Sequence, residues 1–244
     1  MKIESIKNPV IKEIYKLKEK KNRYINKRFI AEGERVIKTF IESGLELIYY
    51  LHTENVDPIL KKSIQKTIII TEEIIKKISS VESPSGHLAV FLMPIQEFIH
   101  LTPGMVAAQI NDPGNLGTLL RSTAAFGFET AVLVESCDPW SSKVVQSSAG
   151  ALAKLKIYFL QWSDLVKQAK HNNIKLIALV VDKGENIAKI SNSLIVIGNE
   201  ANGIPDLWLK DCLITANIPM KNSIESLNAA VAGSIALYLM ASNN

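Results

Sequence analysis

The sequence has almost no cysteine: Cys137 and Cys212 are the only two thiols in 244 residues, and they lie far apart. Two such residues make neither a disulfide framework nor a ligand pair, so a reducing, cytoplasmic setting without structural zinc is expected. Histidine is scarce as well. His52, His87, His100 and His171 show no metal-ligand spacing, and no metal is expected. No apolar run reaches the roughly 20 residues that cross a bilayer. The opening Met1-Lys2-Ile3-Glu4-Ser5 has no apolar export core, so neither membrane nor secretion is expected. The patterns G-x-G-x-x-G and G-x-x-x-x-G-K-[ST] are both absent, which argues against a Rossmann-type nucleotide enzyme.

The remaining composition, 47% hydrophobic and 21% charged, is that of a globular protein, long enough for one large or two modest domains. Its charge is uneven. Residues 1–28 hold ten basic and three acidic side chains, a net +7. The rest holds eighteen and twenty-one, a net −3. A basic arm on a mildly acidic body suits a polyanionic partner. An amphipathic helix with Val10, Ile11, Ile14, Tyr15 and Leu17 as its apolar stripe has the same composition.

Along the chain, Asn8-Pro9 starts a helix running to about Lys20. Phe29–Gly33 reads as strand and turn, 34–43 as a helix closed by Gly44, 45–52 as a strand and 57–65 as a helix. Residues 67–71, all threonine or isoleucine, read as a strand. Thr71 then caps a helix over 72–79, and 88–92 is another strand. Pro94 and Pro103-Gly104 mark a boundary between an N-terminal α/β unit, 1–95, and a second unit, 104–244. The second unit alternates strands (105–110, 130–135, 156–160, 175–181, 193–199, 212–217) with helices (115–126, 141–150, 163–171, 205–210, 226–242). That alternation predicts a mainly parallel sheet covered by helices.

Three stretches in this unit carry polar residues at strand ends, where open α/β sheets bind ligands. In Asn111–Phe128, Asp112-Pro113-Gly114 reads as a turn, and Asn115 is placed to cap the helix that follows. Arg121 is a charge inside an otherwise apolar helix, less than two turns from Asn115. In Leu194–Pro205 an apolar strand ends at Gly198, and Glu200 opens a polar loop. Glu200 suits either a ligand or the loop's own backbone amides, and the amides are favoured. In Ile218–Ala236 a loop leads to a helix start at Ser226 or Asn228. Ala229, Ala230, Ala232, Gly233 and Ala236 then make a surface for close packing.

These stretches resemble, in order, the three motifs of the SpoU (TrmH) family of SPOUT RNA methyltransferases. The matches are 111–117 with Arg121 and Ala125-Phe126-Gly127, then Ile197-Gly198-Asn199-Glu200 with Gly203, then Ile218-Pro219-Met220 with Ser226-Leu227-Asn228. More loosely, Asn8-Pro9, the basic helix and 29–33 resemble the family's small RNA-binding domain. The resemblance implies an α/β fold with a trefoil-knotted C-terminal domain, S-adenosyl-L-methionine as cofactor, a homodimer, and methylation of a ribose 2′-hydroxyl in RNA. Ribosomal RNA is favoured over transfer RNA. The cofactor is expected against Gly198, Ile218 and Leu227, with Glu200, Met220 and Ser226 nearby. Arg121 is expected to grip phosphate and stabilise the alkoxide, and Asn115 to orient the ribose. Ser226 is expected to bond Arg121, cofactor or phosphate, with Glu200 and Asn228 completing the site. The loop 221–225 lacks the glycine that relatives often carry. A non-catalytic RNA-binding protein on the same scaffold would keep the basic helix and could lose the site; the motif residues argue against it.

Overall fold

The computed structural model describes residues 1–53, 67–94, 96, 98–182, 184–186, 192–220 and 226–242. In chain order the elements are β1 (Lys2–Ile3), α1 (Pro9–Lys16), α2 (Lys20–Asn26), β2 (Arg28–Glu32), α3 (Glu34–Glu42), β3 (Leu47–His52), β4 (Thr67–Ile70), α4 (Glu72–Ile78) and β5 (His87–Leu92). There follow β6 (Gly104–Ala108), α5 (Pro113–Ala125), β7 (Thr130–Val134), α6 (Ser142–Ser147), β8 (Lys156–Phe159), α7 (Trp162–His171) and β9 (Lys175–Val180). The last are β10 (Glu185–Asn186), β11 (Ser193–Ile197), α8 (Asp206–Leu209), β12 (Ile214–Asn217) and α9 (Ala229–Ala241). The expected helix over 57–65 and the loop 221–225 lie outside the described residues.

Two compact units form, Met1–Ile95 with Asp138–Ala153, and Gln96–Cys137 with Lys154–Asn244. The first is built on a sheet of order β1-β4-β3-β5-β2, in which β5 runs antiparallel to both its neighbours. Helical spacing on α1 buries Ile11 and Ile14, and α4 buries Ile74, Ile75 and Ile78 in the same core, against Ile30, Leu51 and Val90. Strand alternation turns Phe29 to the opposite face, where its ring centroid lies 5.5 Å from Phe40 and 4.8 Å from Trp140. Trp140 belongs to the segment 138–153, which the sequence pattern assigns to the second unit; here it packs with the first.

Asn8 caps α1 by accepting from the Val10 N–H, and Thr71 caps α4 by accepting from that of Ile74. The helix expected to run to about Lys20 ends at Lys16, and a second helix starts at Lys20. Arg23 is the reason: its guanidinium donates to the carbonyls of Leu17 (2.9 Å) and Lys18 (2.7 Å), holding the chain in a turn between α1 and α2. The same guanidinium pairs with Asp138 at 3.1 and 2.5 Å, and Tyr24 donates to the other carboxylate oxygen at 2.9 Å. Burial, and then the Asp138 carboxylate, raise the Tyr24 phenol above its ordinary pKa. Arg23 is only 5% exposed, so one member of the basic arm does not face solvent at all.

The described strands of the second unit form one parallel sheet of order β10-β12-β9-β11-β6-β7-β8. β6, β7 and β11 are buried throughout, as strands covered on both faces must be. β11 lies beside β6 in register Ile197↔Ala107, while β7 continues on the other side of β6. The order therefore breaks between β6 and β11, and open α/β sheets bind ligands beyond the carboxyl ends of strands at such a break.

α5 starts at Pro113, two residues before the expected start. Its cap is Asp112, whose carboxylate accepts from the Asn115 N–H at 2.8 Å. Asn115 is therefore not the cap, and its side chain is available for another purpose. α9 packs on α5 through its small residues, with Ala229, Ala230, Gly233 and Ala236 buried. A Cβ added at Gly233 would collide with the Leu119 side chain and lie 2.7 Å from Ile197 Cδ1. Ser122 and Ser234 join across this contact at 2.7 Å. No helix among the described residues is long and apolar enough to cross a membrane.

Candidate active site

Loops after β6, β11 and β12 meet at the carboxyl edge of the parallel sheet. The loop after β11 is closed by Asn199. Its backbone exchanges hydrogen bonds with Gly203 at 3.1 and 2.8 Å. Its side-chain oxygen accepts from the N–H groups of Ala201 (2.9 Å) and Asn202 (3.3 Å), and its amide donates to the Gln109 carbonyl at the end of β6 (3.0 Å). Asn199 thus satisfies the loop amides that the sequence pattern gives to Glu200. Gly198 lies flat against the returning strand of this loop: a Cβ there would sit 2.6 Å from the Gly203 oxygen and 2.7 Å from the Ile204 nitrogen.

Glu200 makes a different contact. Its carboxylate accepts from the Asn115 side-chain amide. The Asn115 oxygen accepts in turn from the Asn228 amide at 3.1 Å. The Asn228 oxygen accepts from the N–H groups of Ala230 (2.9 Å) and Val231 (3.2 Å), capping α9. Two backbone donors fix which end of Asn228 is oxygen. Its amine must then face Asn115, so the Asn115 amine must face the carboxylate. One chain of polarity runs from the α9 cap through the first turn of α5 to Glu200.

Beside this chain lies an open cleft. Gly198, Glu200, Ile218, Met220, Ser226 and Leu227, the six residues expected to hold the cofactor, all line it. Leu179, Val180 and Val181 from the end of β9, Ala229 and Ala232 of α9, and Ile197, Asn199, Ala201 and Gly203 around the β11 loop complete the wall. Leu179, Val180 and Val181 escape sequence reasoning, because an apolar strand end carries no sign of which loops lie beside it. The structure brings Asn115, Glu200 and Asn228 together and does not bring Arg121 to them. Arg121 is exposed on α5, does not line the cleft, and makes no hydrogen bond or ion pair among the described residues. Ser226 is exposed and makes no bond to Arg121. Among the described residues no three His, Cys, Asp or Glu side chains are grouped as metal ligands.

A parallel α/β sheet whose β9, β11 and β12 open at their carboxyl ends into one cleft has the architecture of a small-molecule-binding fold. Within that class, the sequence profile of the SpoU rRNA Methylase family matches residues 104–238, and the chain belongs to that family. Residues 8–89 match the MRM3-like substrate binding domain. The chain is 28% identical to an uncharacterized tRNA/rRNA methyltransferase of Synechocystis, covering 97% of this chain and 92% of the relative. It is 26% identical to the 23S rRNA (guanosine(2553)-2′-O)-methyltransferase RlmP of Bacillus subtilis, covering 97% of each. Among solved structures, an RNA 2′-O ribose methyltransferase superposes with a TM-score of 0.84 at 29% identity, over 100% of this chain and 99% of that one. The SpoU methyltransferase AviRb of Streptomyces viridochromogenes, solved with AdoMet, has the same fold at a TM-score of 0.85 and 23% identity, over 97% and 98%.

Proposed function

We propose that this protein methylates a ribose 2′-hydroxyl of ribosomal RNA, with S-adenosyl-L-methionine as donor. One observation carries the reading: the six residues expected at the cofactor line a single cleft, and the Glu200–Asn115–Asn228 chain adjoins it at Glu200. The cleft suits that donor. Ile218, Leu227, Ala229 and Val180 offer apolar walls for a purine, and Glu200 supplies the one carboxylate among the lining residues, for a hydroxyl or an ammonium. When bound, S-adenosyl-L-methionine supplies an electrophilic methyl group on a sulfonium.

The chain's own residues supply alignment and charge. Asn115, held at both ends of its amide, is a fixed polar group for orienting the ribose. Glu200 and Asn228 act through Asn115 as positioning residues. Arg121 carries a planar guanidinium fork, so it suits gripping an RNA phosphate and stabilising the alkoxide as the hydroxyl proton passes to water. Ser226, exposed at the cleft, suits a hydrogen bond to the donor or the RNA. The same reading includes a homodimer, a knotted C-terminal scaffold and a cytoplasmic setting. Exposed Val231 and Tyr238 on α9, at 48% and 55%, support a covered interface.

Transfer RNA is the second reading, favoured by the joint tRNA/rRNA name of the Synechocystis relative. Two measurements test the proposal. Calorimetry should show S-adenosylmethionine binding and no NAD or ATP binding. Methyl mapping of total RNA from a strain lacking the gene should show one ribosomal 2′-O-methyl group missing, restored by the purified protein. An absent cofactor heat would overturn the enzyme reading, and a missing methyl in transfer RNA would redirect the substrate.

A further inference from the structure

We infer that the RNA backbone is held on one face of the first unit, made by α1 and the C-terminal turn of α4, through Lys12, Lys16, Lys76 and Lys77. This rests on the substrate class proposed above and adds where that substrate is gripped. α1 buries Ile11 and Ile14, so Lys12, Tyr15 and Lys16 point outward at positions i, i+3 and i+4. α4 buries Ile74, Ile75 and Ile78 and leaves Lys76 and Lys77 exposed. The two outward faces adjoin. The Lys77 ammonium lies 4.9 Å from the centroid of the Tyr15 ring, which is 43% exposed, and Lys18 lies 5.2 Å from the same ring.

Several other cations of the basic arm are already engaged. Arg23 is buried on Asp138, Arg28 pairs with Glu13, and Lys2 pairs with Glu4. Lys18 donates to the carbonyls of Lys77 (3.0 Å) and Ser79 (2.6 Å), closing the end of α4. Lys12, Lys16, Lys76 and Lys77 have no ion pair among the described residues. The nearby carboxylates are committed elsewhere: Glu13 to Arg28, Glu19 to Asn22, and Glu32 to Ser79 and the Ser80 N–H. Glu72 and Glu73 stand at the opposite end of α4. Four solvated ammonium groups on two adjoining helices, with a tyrosine between them, complement a phosphate backbone and carry no base-reading geometry.

The test is binding of the full chain to a 23S rRNA transcript without S-adenosylmethionine, across about 50 to 200 mM salt. Lys12→Gln/Lys16→Gln/Lys76→Gln/Lys77→Gln should make the slope of log K against log salt shallower by about 3, at roughly 0.7–0.9 per lost phosphate contact. The Lys76→Gln/Lys77→Gln pair alone should give about half of that. A control removing the same charge from the second unit, Lys154→Gln/Lys170→Gln/Lys175→Gln/Lys210→Gln, should keep the wild-type slope. Lys18→Met should lower the melting temperature and leave the slope unchanged. Equal slopes for the quadruple and pair variants and wild type, or an equal loss in the control, would overturn the assignment. Because no methyl transfer is needed, failure of the methyltransferase reading would appear in the cofactor calorimetry and not here.

Discussion

Asn115 and Glu200, distant in sequence, are joined by a hydrogen bond from the asparagine amide to the carboxylate. The bond ties the first turn of α5 to the loop after β11, and Asn228 extends it to the start of α9. Two of the three participants belong to helix starts, so the geometry of the site is inherited from how those helices begin.

Asn228 has two separable tasks. Asn228→Asp keeps an oxygen for the α9 cap but sets a second acceptor against the Asn115 oxygen. It should melt within about 2 °C of wild type, as exchanges between good capping residues do, with turnover at least tenfold lower. Asn228→Ala should lose both, with about 1 kcal/mol of helix stability removed. Full turnover in a stable Asp variant would show that the orientation of Asn115 does not matter.

Arg121 should separate activity from stability. It is exposed and makes no bond among the described residues, so Arg121→Ala should leave the melting temperature and cofactor affinity nearly unchanged. Turnover should fall by about a hundredfold or more, the scale for losing a transition-state donor. Arg121→Lys should rescue poorly, since an ammonium lacks the planar fork. Single-turnover methylation and thermal melting on one preparation decide it.

The buried ion pair predicts the opposite pattern. Asp138→Ala leaves the Arg23 guanidinium buried without its carboxylate, a loss of about 3–5 kcal/mol. Melting of the first unit should drop by about 6 °C or more, with cofactor affinity retained. Arg23→Met/Asp138→Leu should recover most of the loss. A double variant no better than the single would mean that the ion pair is not the source.

Cys212 should be inert in the folded protein. Burial first, and then the Asp211 carboxylate, push its thiol from 9.0 up to about 12. The folded state therefore favours the protonated thiol. Its contribution to stability is complete below about pH 9 and is lost as the pH rises toward 12. At pH 8 iodoacetamide should label it about a thousandfold more slowly than in the unfolded chain, and Cys212→Ala should flatten the alkaline fall in stability. Rapid labelling of native protein would contradict this.

Much of the architecture was legible because it rests on local rules. Apolar runs marked the buried strands β6, β7 and β11, and Asn8 and Thr71 announced the helix starts they cap. Loop glycines and strand ends pointed to the cleft. What stayed hidden depends on distant partners. Asp112 and Asn115 are both good caps, and only the folded chain shows that the aspartate takes the task, leaving the asparagine for Glu200. Asn199 and Glu200 are neighbours that can both accept from loop amides, and the carbonyl of Gln109, just past β6, selects the first as the clamp because only the asparagine can donate to it. Arg23 looked like one more surface cation because its partner lies at position 138.

The routing of residues 138–153 bears on how the protein is made. Strand β2 packs Phe29 against Trp140, and α2 gives Arg23 to Asp138, yet both partners are translated after β6, α5 and β7 of the other unit. Residues 1–95 therefore leave the ribosome without part of their own interior. They have to wait, with the Trp140 side of Phe29 uncovered, for a segment more than forty residues further on. A fragment cut at residue 95 would be held permanently at that stage, and the complementary fragment would carry Asp138 and Trp140 without the partners that bury them. The unit built on β1–β5 is thus completed only after β6, α5 and β7 of the other unit have been made.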